Sequence, residues 1–292
     1  MGRTAGILAG LAAAAIWGGM YVVTKYVLAF VPPLTLVLMR EVIGAATLFA
    51  IVAVTRIRLV ERRDFKLVGL LGFVGLFLSI VSQYVGTDLS NAANGALITS
   101  ATPAFLVLFA RPILGERLTS WRIAGLVLAT AGVLLTVLAG GPPDPTAGRN
   151  PPLGNVLLLV AALTWALYSA LGRLAADRYP VVVTTAYATG IGALFTALCV
   201  PFELSTTPIA SPPPLAWLGV LYLGVVSTAG AFYLWNKSIA LLGAGLPALL
   251  FFAQPVVGGL LGALLLGERL DVPFFVGGGL IALGVLVTAR EG

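Results

Sequence analysis

Residues 101–133, ATPAFLVLFARPILGERLTSWRIAGLVLATAGV, are answered 152 positions later by residues 253–285, AQPVVGGLLGALLLGERLDVPFFVGGGLIALGV. The two stretches align Pro103 with Pro255, the string Gly115-Glu116-Arg117-Leu118 with Gly267-Glu268-Arg269-Leu270, Gly125 with Gly277, and Gly132-Val133-Leu134 with Gly284-Val285-Leu286. A chain that is only 10% charged and writes the same two charges twice in the same frame is an internal duplication. Upstream the match continues with Leu71-Gly72 onto Leu223-Gly224 and Ala96-Leu97 onto Ala248-Leu249. Nearer the start of each half the offset drops to 148, where Trp17 meets Trp165 and Lys25 meets Arg173, as loops of different length require.

Composition sets the solvent. With 292 residues, 59% of them hydrophobic, 35 glycines and a mean hydropathy of +1.04, the chain cannot hide its apolar residues in one water-soluble core. Uncharged, mostly apolar stretches run over residues 4–24, 67–87, 89–110, 123–143, 150–172, 179–202, 204–236, 238–267 and 272–289. A bilayer-spanning helix needs roughly 20 such residues. Residues 31–54 add one more span, interrupted by Arg40 and Glu41, so the expectation is an all-α polytopic membrane protein of ten transmembrane helices. Breaks carry helix-ending residues: Pro32-Pro33, Ser90-Asn91, Pro142-Pro143, Pro151-Pro152, Pro180, Pro212-Pro213-Pro214 and Gly243. Residues 1–141 form the expected first five-helix repeat, 142–152 the linker and 153–292 the second repeat. A cleaved leader is not expected, because the apolar run after Arg3 continues unbroken to Val23.

Basic residues give the orientation. With the N-terminus in the cytoplasm, the inner segments hold Arg3, the cluster Arg56 to Lys66, Arg111, Arg117, Arg122, Arg173, Arg178, Lys237 and Arg290, while the outer side keeps Lys25, Arg149 and Arg269. Both termini are then cytoplasmic. The net charge of +6 is a topology signal and not a nucleic-acid footprint. Five spans is an odd number, so the second repeat crosses the membrane in the opposite sense to the first, and the repeated string faces the cytoplasm once and the outside once. Inverted halves of this kind exchange conformations to give alternating access. Glu116 and Glu268, in the repeated string, are expected to pair locally or to cap neighbouring helix ends.

The stretch AIWGGMYVVTK (residues 15–25), Arg40 in the second span and the two long echoes together resemble the drug/metabolite transporter superfamily, and within it the EamA-type carriers of ten helices in two repeats. The resemblance covers essentially the whole chain. It implies a bacterial inner-membrane secondary transporter with a small-molecule substrate and no cofactor, and the bacterial exporters of amino acids, aromatic ones among them, are the branch it suggests. Arg40 has Tyr187 at its place in the second repeat, so its role is not duplicated.

Transporter sites lie near the midplane at the interface of the repeats. Counting about 1.5 Å per residue from the span ends puts Trp17, Gln83, Trp165, Tyr168 and Gln254 near that depth, with Trp235 and Asn236 toward the inner end of the eighth span. Tyr84 follows Gln83 and is expected at an outer rim. These eight are the expected substrate-binding residues. Indole prefers the interface, so a mid-depth tryptophan points to a polar cavity or a neighbouring helix, and an amide is costly to leave unpaired in hydrocarbon. Pro103 and Pro255 free a backbone carbonyl one turn back, for a kink or for the cavity. Arg40 and Glu41 are expected to serve structure or gating on the outer side, in company with Lys25 or Asp88, and the cavity itself is expected to be neutral and aromatic. Glu41 is the only carboxyl offered for proton coupling.

The chain has no histidine and one cysteine, Cys199, which excludes Ser-His and Cys-His catalysis, disulfides and zinc sites, so neither an enzyme nor a metal site is expected. No phosphate loop precedes a lysine, so ATP-driven pumping within the chain is not expected either. The competing functions are a passive channel, a lipid scramblase, or a proton-coupled carrier of other metabolites or drugs; saturable counterflow separates a carrier from a pore.

Overall fold

The computed structural model describes residues 2–115, 119–138, 148–242 and 250–288. All regular secondary structure among these residues is helical. Six helices are long and apolar enough to cross a bilayer: the first span Arg3–Leu28, the second Pro33–Thr55, the third Arg62–Leu89, the sixth Pro151–Ala176, the seventh Val181–Thr206 and the eighth Pro214–Trp235, whose helix continues to Leu242. The remaining four segments are shorter or broken. The fourth is split into Ala92–Thr99 and Thr102–Leu114, the fifth is Ser120–Leu138, the ninth is Ala253–Leu261 with a π turn at Gly262–Leu266, and the tenth is Val272–Thr288.

Proline starts several spans: Pro33, Pro151 and Pro214 stand in the first turns of the second, sixth and eighth, where a missing N–H costs nothing. Asn91 caps the fourth by accepting from the Asn94 amide at 2.7 Å. Large apolar side chains face outward, among them Val54, Leu198, Phe202 and Leu264, each at least three-quarters exposed in the isolated chain. That outward face suits lipid, while the main core threads both halves through Trp17, Tyr21, Leu76, Tyr84, Leu223 and Phe251.

The duplication is visible as contacts drawn twice. A methyl added at Gly72 would lie 2.6 Å from Ile191 Cγ2 and 2.9 Å from the Ala188 carbonyl oxygen; one added at Gly224 would lie 2.5 Å from Ile43 Cγ2 and 3.2 Å from the Arg40 carbonyl oxygen. Moving Gly72 and Ile191 by the sequence offsets gives Gly224 and Ile43, so these are one contact related by a pseudo-two-fold axis. The pair also corrects an alignment: Ala188, not Tyr187, is the counterpart of Arg40, because the offset in this part of the chain is 148. Spans five and ten meet on that axis. Gly132 packs so closely on Gly277 that an added methyl would lie 2.5 Å from the Gly277 carbonyl oxygen, and Gly284 stands in the same relation to Gly125 at 2.6 Å.

The third and eighth spans each contain a π-helical stretch, Gly72–Ser79 and Tyr222–Gly230, at matching places in the two halves. Such stretches widen the turn and turn side chains off the regular helical face. The break in span four and the turn at residues 251–252, just before the helix of span nine, go with Pro103 and Pro255. The carbonyl that Pro103 frees, that of Thr99, accepts from the Thr102 hydroxyl at 2.8 Å, and the carbonyl that Pro255 frees, that of Phe251, accepts from the Gln254 amide at 2.9 Å. Each freed carbonyl thus has a local donor.

Gly115 and Gly267 of the repeated string both take the left-handed conformation, with φ of 68° and 69°, where a side chain would be strained. Beyond Gly267, Glu268 reaches the fourth span, where its two oxygens accept from the Ala92 and Ala93 amides at 2.7 and 2.8 Å. A carboxylate on exposed N–H groups at a helix start is favourable twice over, through hydrogen bonds and the helix dipole. Glu116 lies outside the described residues. Lys25 caps the other side of the same corner, donating to the Thr87, Asp88 and Ser90 carbonyls at 2.8 to 3.0 Å. At the opposite end of the bundle, Asp64 accepts from Arg178 at 2.6 Å and from the Tyr179 hydroxyl at 2.7 Å. That contact ties the start of span three to the loop before span seven.

Candidate functional site

A small cavity of about 40 Å³ lies where the halves meet, walled by residues of the first, second, third, fourth, sixth, eighth and ninth segments. Trp17, Gln83, Trp165 and Gln254, expected from their depth, all line it, and so do Tyr21, Arg40, Phe232 and Phe251. The volume holds about two or three waters. It falls far below the roughly 300 Å³ at which small-molecule sites begin, so in this conformation it has no room for a solute of amino-acid size.

The polar wall is an ordered chain of hydrogen bonds. Thr99 donates to the Gly95 carbonyl at 2.7 Å, which leaves its oxygen to accept from Gln254 Nε2 at 3.0 Å and from the Tyr21 hydroxyl at 2.6 Å. With its hydrogen committed to Thr99, Tyr21 accepts from Gln83 Nε2. Gln254 Nε2 also donates to the Ala96 carbonyl at 3.0 Å. Donor bookkeeping therefore fixes the Gln83 amide with its nitrogen on Tyr21 and its oxygen, Oε1, without a partner.

Rings form the opposite wall. Trp17 packs against Phe232, Trp235 and Phe251 with centroids 5.6 to 5.8 Å apart, and Trp165 stacks on Tyr168 at 4.7 Å and touches Phe232 at 5.8 Å. Tyr168 and Trp235 thus stand one ring behind the cavity. The two pseudo-equivalent tryptophans differ. Trp17 donates to the Ser227 carbonyl at 3.0 Å. Gly75 corresponds to Ser227, and there the Tyr168 ring occupies the place a side chain would take; no hydrogen bond is made by the Trp165 indole among the described residues.

Arg40 is where expectation and structure part. It does not meet Lys25, which is spent on carbonyls, or Asp88, which pairs with Arg149 at 3.0 Å. Its guanidinium turns to the cavity instead, with Nε donating to Thr228 Oγ1 at 3.1 Å and Nη1 unpartnered. Thr228 accepts because its own hydrogen goes to the Leu223 carbonyl at 2.9 Å, five residues back along the π stretch. The expected neutral cavity therefore contains a cation. Tyr84, expected at the outer rim, is fully buried behind Arg40, its ring centroid 5.5 Å from the guanidinium carbon.

Glu41 faces away from the cavity, between the second and seventh spans. One oxygen lies 3.0 Å from the Thr196 hydroxyl, and the other, against Gly192, has no partner. The side chain of Asn236 lies outside the described residues.

Tyr21, Phe232 and Phe251 are additions that depth alone did not select. Tyr21 was within reach of sequence reasoning, since it follows Trp17 by four residues and so shares its helix face. The two phenylalanines carry no such signal, because rings facing lipid and rings facing a cavity read alike.

The profile of the EamA-like transporter family matches residues 4–138 and again 152–290. An aromatic amino acid exporter, YddG, of Ancylobacter novellus is 31% identical over 266 residues, which cover 89% of this chain and 88% of that protein. A probable terminal-alkyne amino-acid exporter of Streptantibioticus cattleyicolor is 27% identical, covering 80% of this chain and 76% of that protein. An uncharacterized transporter of Bacillus subtilis, YetK, is 27% identical over 217 residues, covering 74% of this chain and 65% of that protein. A solved crystal structure superposes with a TM-score of 0.69 at 26% identity over 99% of this chain and all of that one.

Proposed function

The chain belongs to the EamA-like transporter family, a family of membrane transporters, and from that premise we propose that it exports amino acids or similar small amphipathic metabolites by alternating access. The observation that carries the reading is the pair of equivalent contacts, Gly72 on Ile191 and Gly224 on Ile43, in a bundle whose central cavity is lined by residues of both halves. Equivalent contacts in inverted halves allow two conformations of similar energy, one open to each side. The ring-lined wall suits an apolar side chain, and two relatives are named as amino-acid exporters. The reading includes a first repeat at 1–141, a linker at 142–152, a second repeat at 153–292, a bacterial inner-membrane location and two cytoplasmic termini. It assigns the chain no enzymatic step.

Counterflow in proteoliposomes tests it. Vesicles preloaded with unlabelled phenylalanine, tryptophan, threonine or methionine are expected to accumulate the labelled compound saturably at equal pH on both sides. Non-saturable flux that ignores the preload would support a pore, and lipid flip-flop without solute exchange a scramblase.

One observation favours proton coupling as a second reading. The Thr196 hydroxyl lies 3.0 Å from Glu41 Oε2 and also 3.0 Å from the Gly192 carbonyl, yet it has one hydrogen to give. When that hydrogen serves Gly192, the usual backbone bond of a helical threonine, the Glu41 contact needs a proton on the carboxyl. The other titratable groups close by are Arg40 and Tyr84, and neither pairs with Glu41 within hydrogen-bond reach. Uptake driven by an imposed pH gradient, abolished in Glu41→Gln with counterflow retained, is the expected result of that reading.

A further inference from the structure

We propose that Arg40 is the seat of a substrate carboxylate, so that the cavity selects solutes carrying a carboxylate at one end and an apolar or aromatic group at the other. The proposal deepens the transport reading above and rests on it for the site, but binding alone suffices to test it.

Four observations converge. Arg40 is 3% exposed, its guanidinium lines the cavity, and Nη1 has no acceptor. No carboxylate among the described residues comes within ion-pair reach of it; Glu41, next in the chain, points about 100° away around the helix and is engaged with Thr196. The group is also held rigidly. Thr228 accepts from Nε and the guanidinium carbon stands over the Tyr84 ring, 5.5 Å from its centroid, contacts that orient the fork without neutralising it. Finally, the rest of the cavity complements such a ligand: Trp17, Trp165, Phe232 and Phe251 offer an apolar surface, and Gln83 Oε1 is an unpartnered acceptor suited to an ammonium group.

A buried, unpaired arginine in a membrane protein is costly, and its charge is normally met by a partner or by water. In a cavity of about 40 Å³ the available partner is a few waters. A carboxylate gives more, because two parallel N–H···O bonds match the guanidinium fork, a geometry lysine does not reproduce. The site would thus take aryl or alkyl carboxylates, with α-amino acids using both the Arg40 and the Gln83 ends.

The test compares four probes of one shape on purified protein in detergent: phenylalanine, 3-phenylpropionate, phenylalanine methyl ester and phenethylamine, followed by thermal shift and by competition in counterflow. Both carboxylates are expected to raise Tm and to compete at least about tenfold more strongly than the ester and the amine, the loss expected when a charged hydrogen bond is removed. Arg40→Gln is expected to bring the four probes within about twofold of one another, as expected when the one charge-assisted contact is removed. Arg40→Lys, which keeps the charge and so carries the test if the glutamine variant fails to fold, is expected to retain a preference for the carboxylates at reduced strength. Equal effects of acid and ester on the wild-type chain, or carboxylate preference undiminished in Arg40→Gln, would overturn the assignment and leave the transport reading standing. Carboxylate-selective thermal shifts that depend on Arg40, without exchange of any probe, would uphold the seat and count against transport of this class.

Discussion

The two halves of the molecule agree in packing and disagree in polar chemistry. Gly72 on Ile191 repeats as Gly224 on Ile43, and the contact of Gly132 with Gly277 repeats as that of Gly125 with Gly284. Yet the first half places Arg40 and Glu41 where the second places Ala188 and Thr189, and it is Trp17, not Trp165, whose N–H is tied to a backbone carbonyl. Symmetric packing allows the bundle to adopt two related shapes. The unpaired charge of Arg40 and the free oxygen of Gln83, both contributed to the cavity by the first half, give a solute something to bind.

The strongest way to break the symmetric part is to fill it. Gly132→Leu and Gly284→Leu each force a side chain into a backbone carbonyl or amide that cannot step aside, and each is expected to destabilise by about 3 kcal/mol or more, read as lost monodisperse protein on gel filtration. Their effects should match. A large loss from one and none from the other would show that the two crossings are not equivalent.

Two buried glutamates sharpen the polar side of the comparison. Glu268 accepts from two backbone amides, so Glu268→Gln, which turns an NH2 toward one of them, is expected to cost about 1–3 kcal/mol by thermal unfolding. Glu41 contacts one hydroxyl and leaves an oxygen unpartnered. A neutral amide there is expected to change stability by less than about 1 kcal/mol; a loss as large as that of Glu268→Gln would indicate that Glu41 works as an anion in the folded protein.

The smallest effects separate the tryptophans. Trp17→Phe removes the bond to the Ser227 carbonyl and is expected to cost about 1 kcal/mol. Trp165→Phe breaks no hydrogen bond and is expected to leave Tm nearly unchanged while altering the relative competition of phenylalanine and methionine in counterflow. Equal losses of stability would erase the distinction.

Much of this architecture is legible in the chain. Uncharged runs long enough for a bilayer, the prolines between them and the repeated string with its glycine at positive φ follow from local rules that leave marks on residue type. The site was only partly legible. Depth along a span picked out Trp17, Gln83, Trp165 and Gln254, because a polar or indole group at mid-membrane needs a reason to be there. Depth did not tell which way Arg40 faces, it put Tyr84 at a rim when it lies behind Arg40, and it passed over Tyr21, Phe232 and Phe251. In water an amphipathic helix declares its buried face by polarity; in lipid both faces are apolar, and that signal is missing.

Sequence alone therefore determined the solvent, the ten segments and their duplication, since these depend on how many apolar residues run together and which residues end a helix. Tertiary structure alone decided that Arg40 enters the cavity while Glu41 turns away from it, that Glu268 serves a helix in the opposite half, and that the π stretch around Thr228 brings an acceptor to the Arg40 side chain. Those outcomes depend on the rotation of each helix about its own axis, which close glycine contacts between distant segments fix and no local pattern encodes.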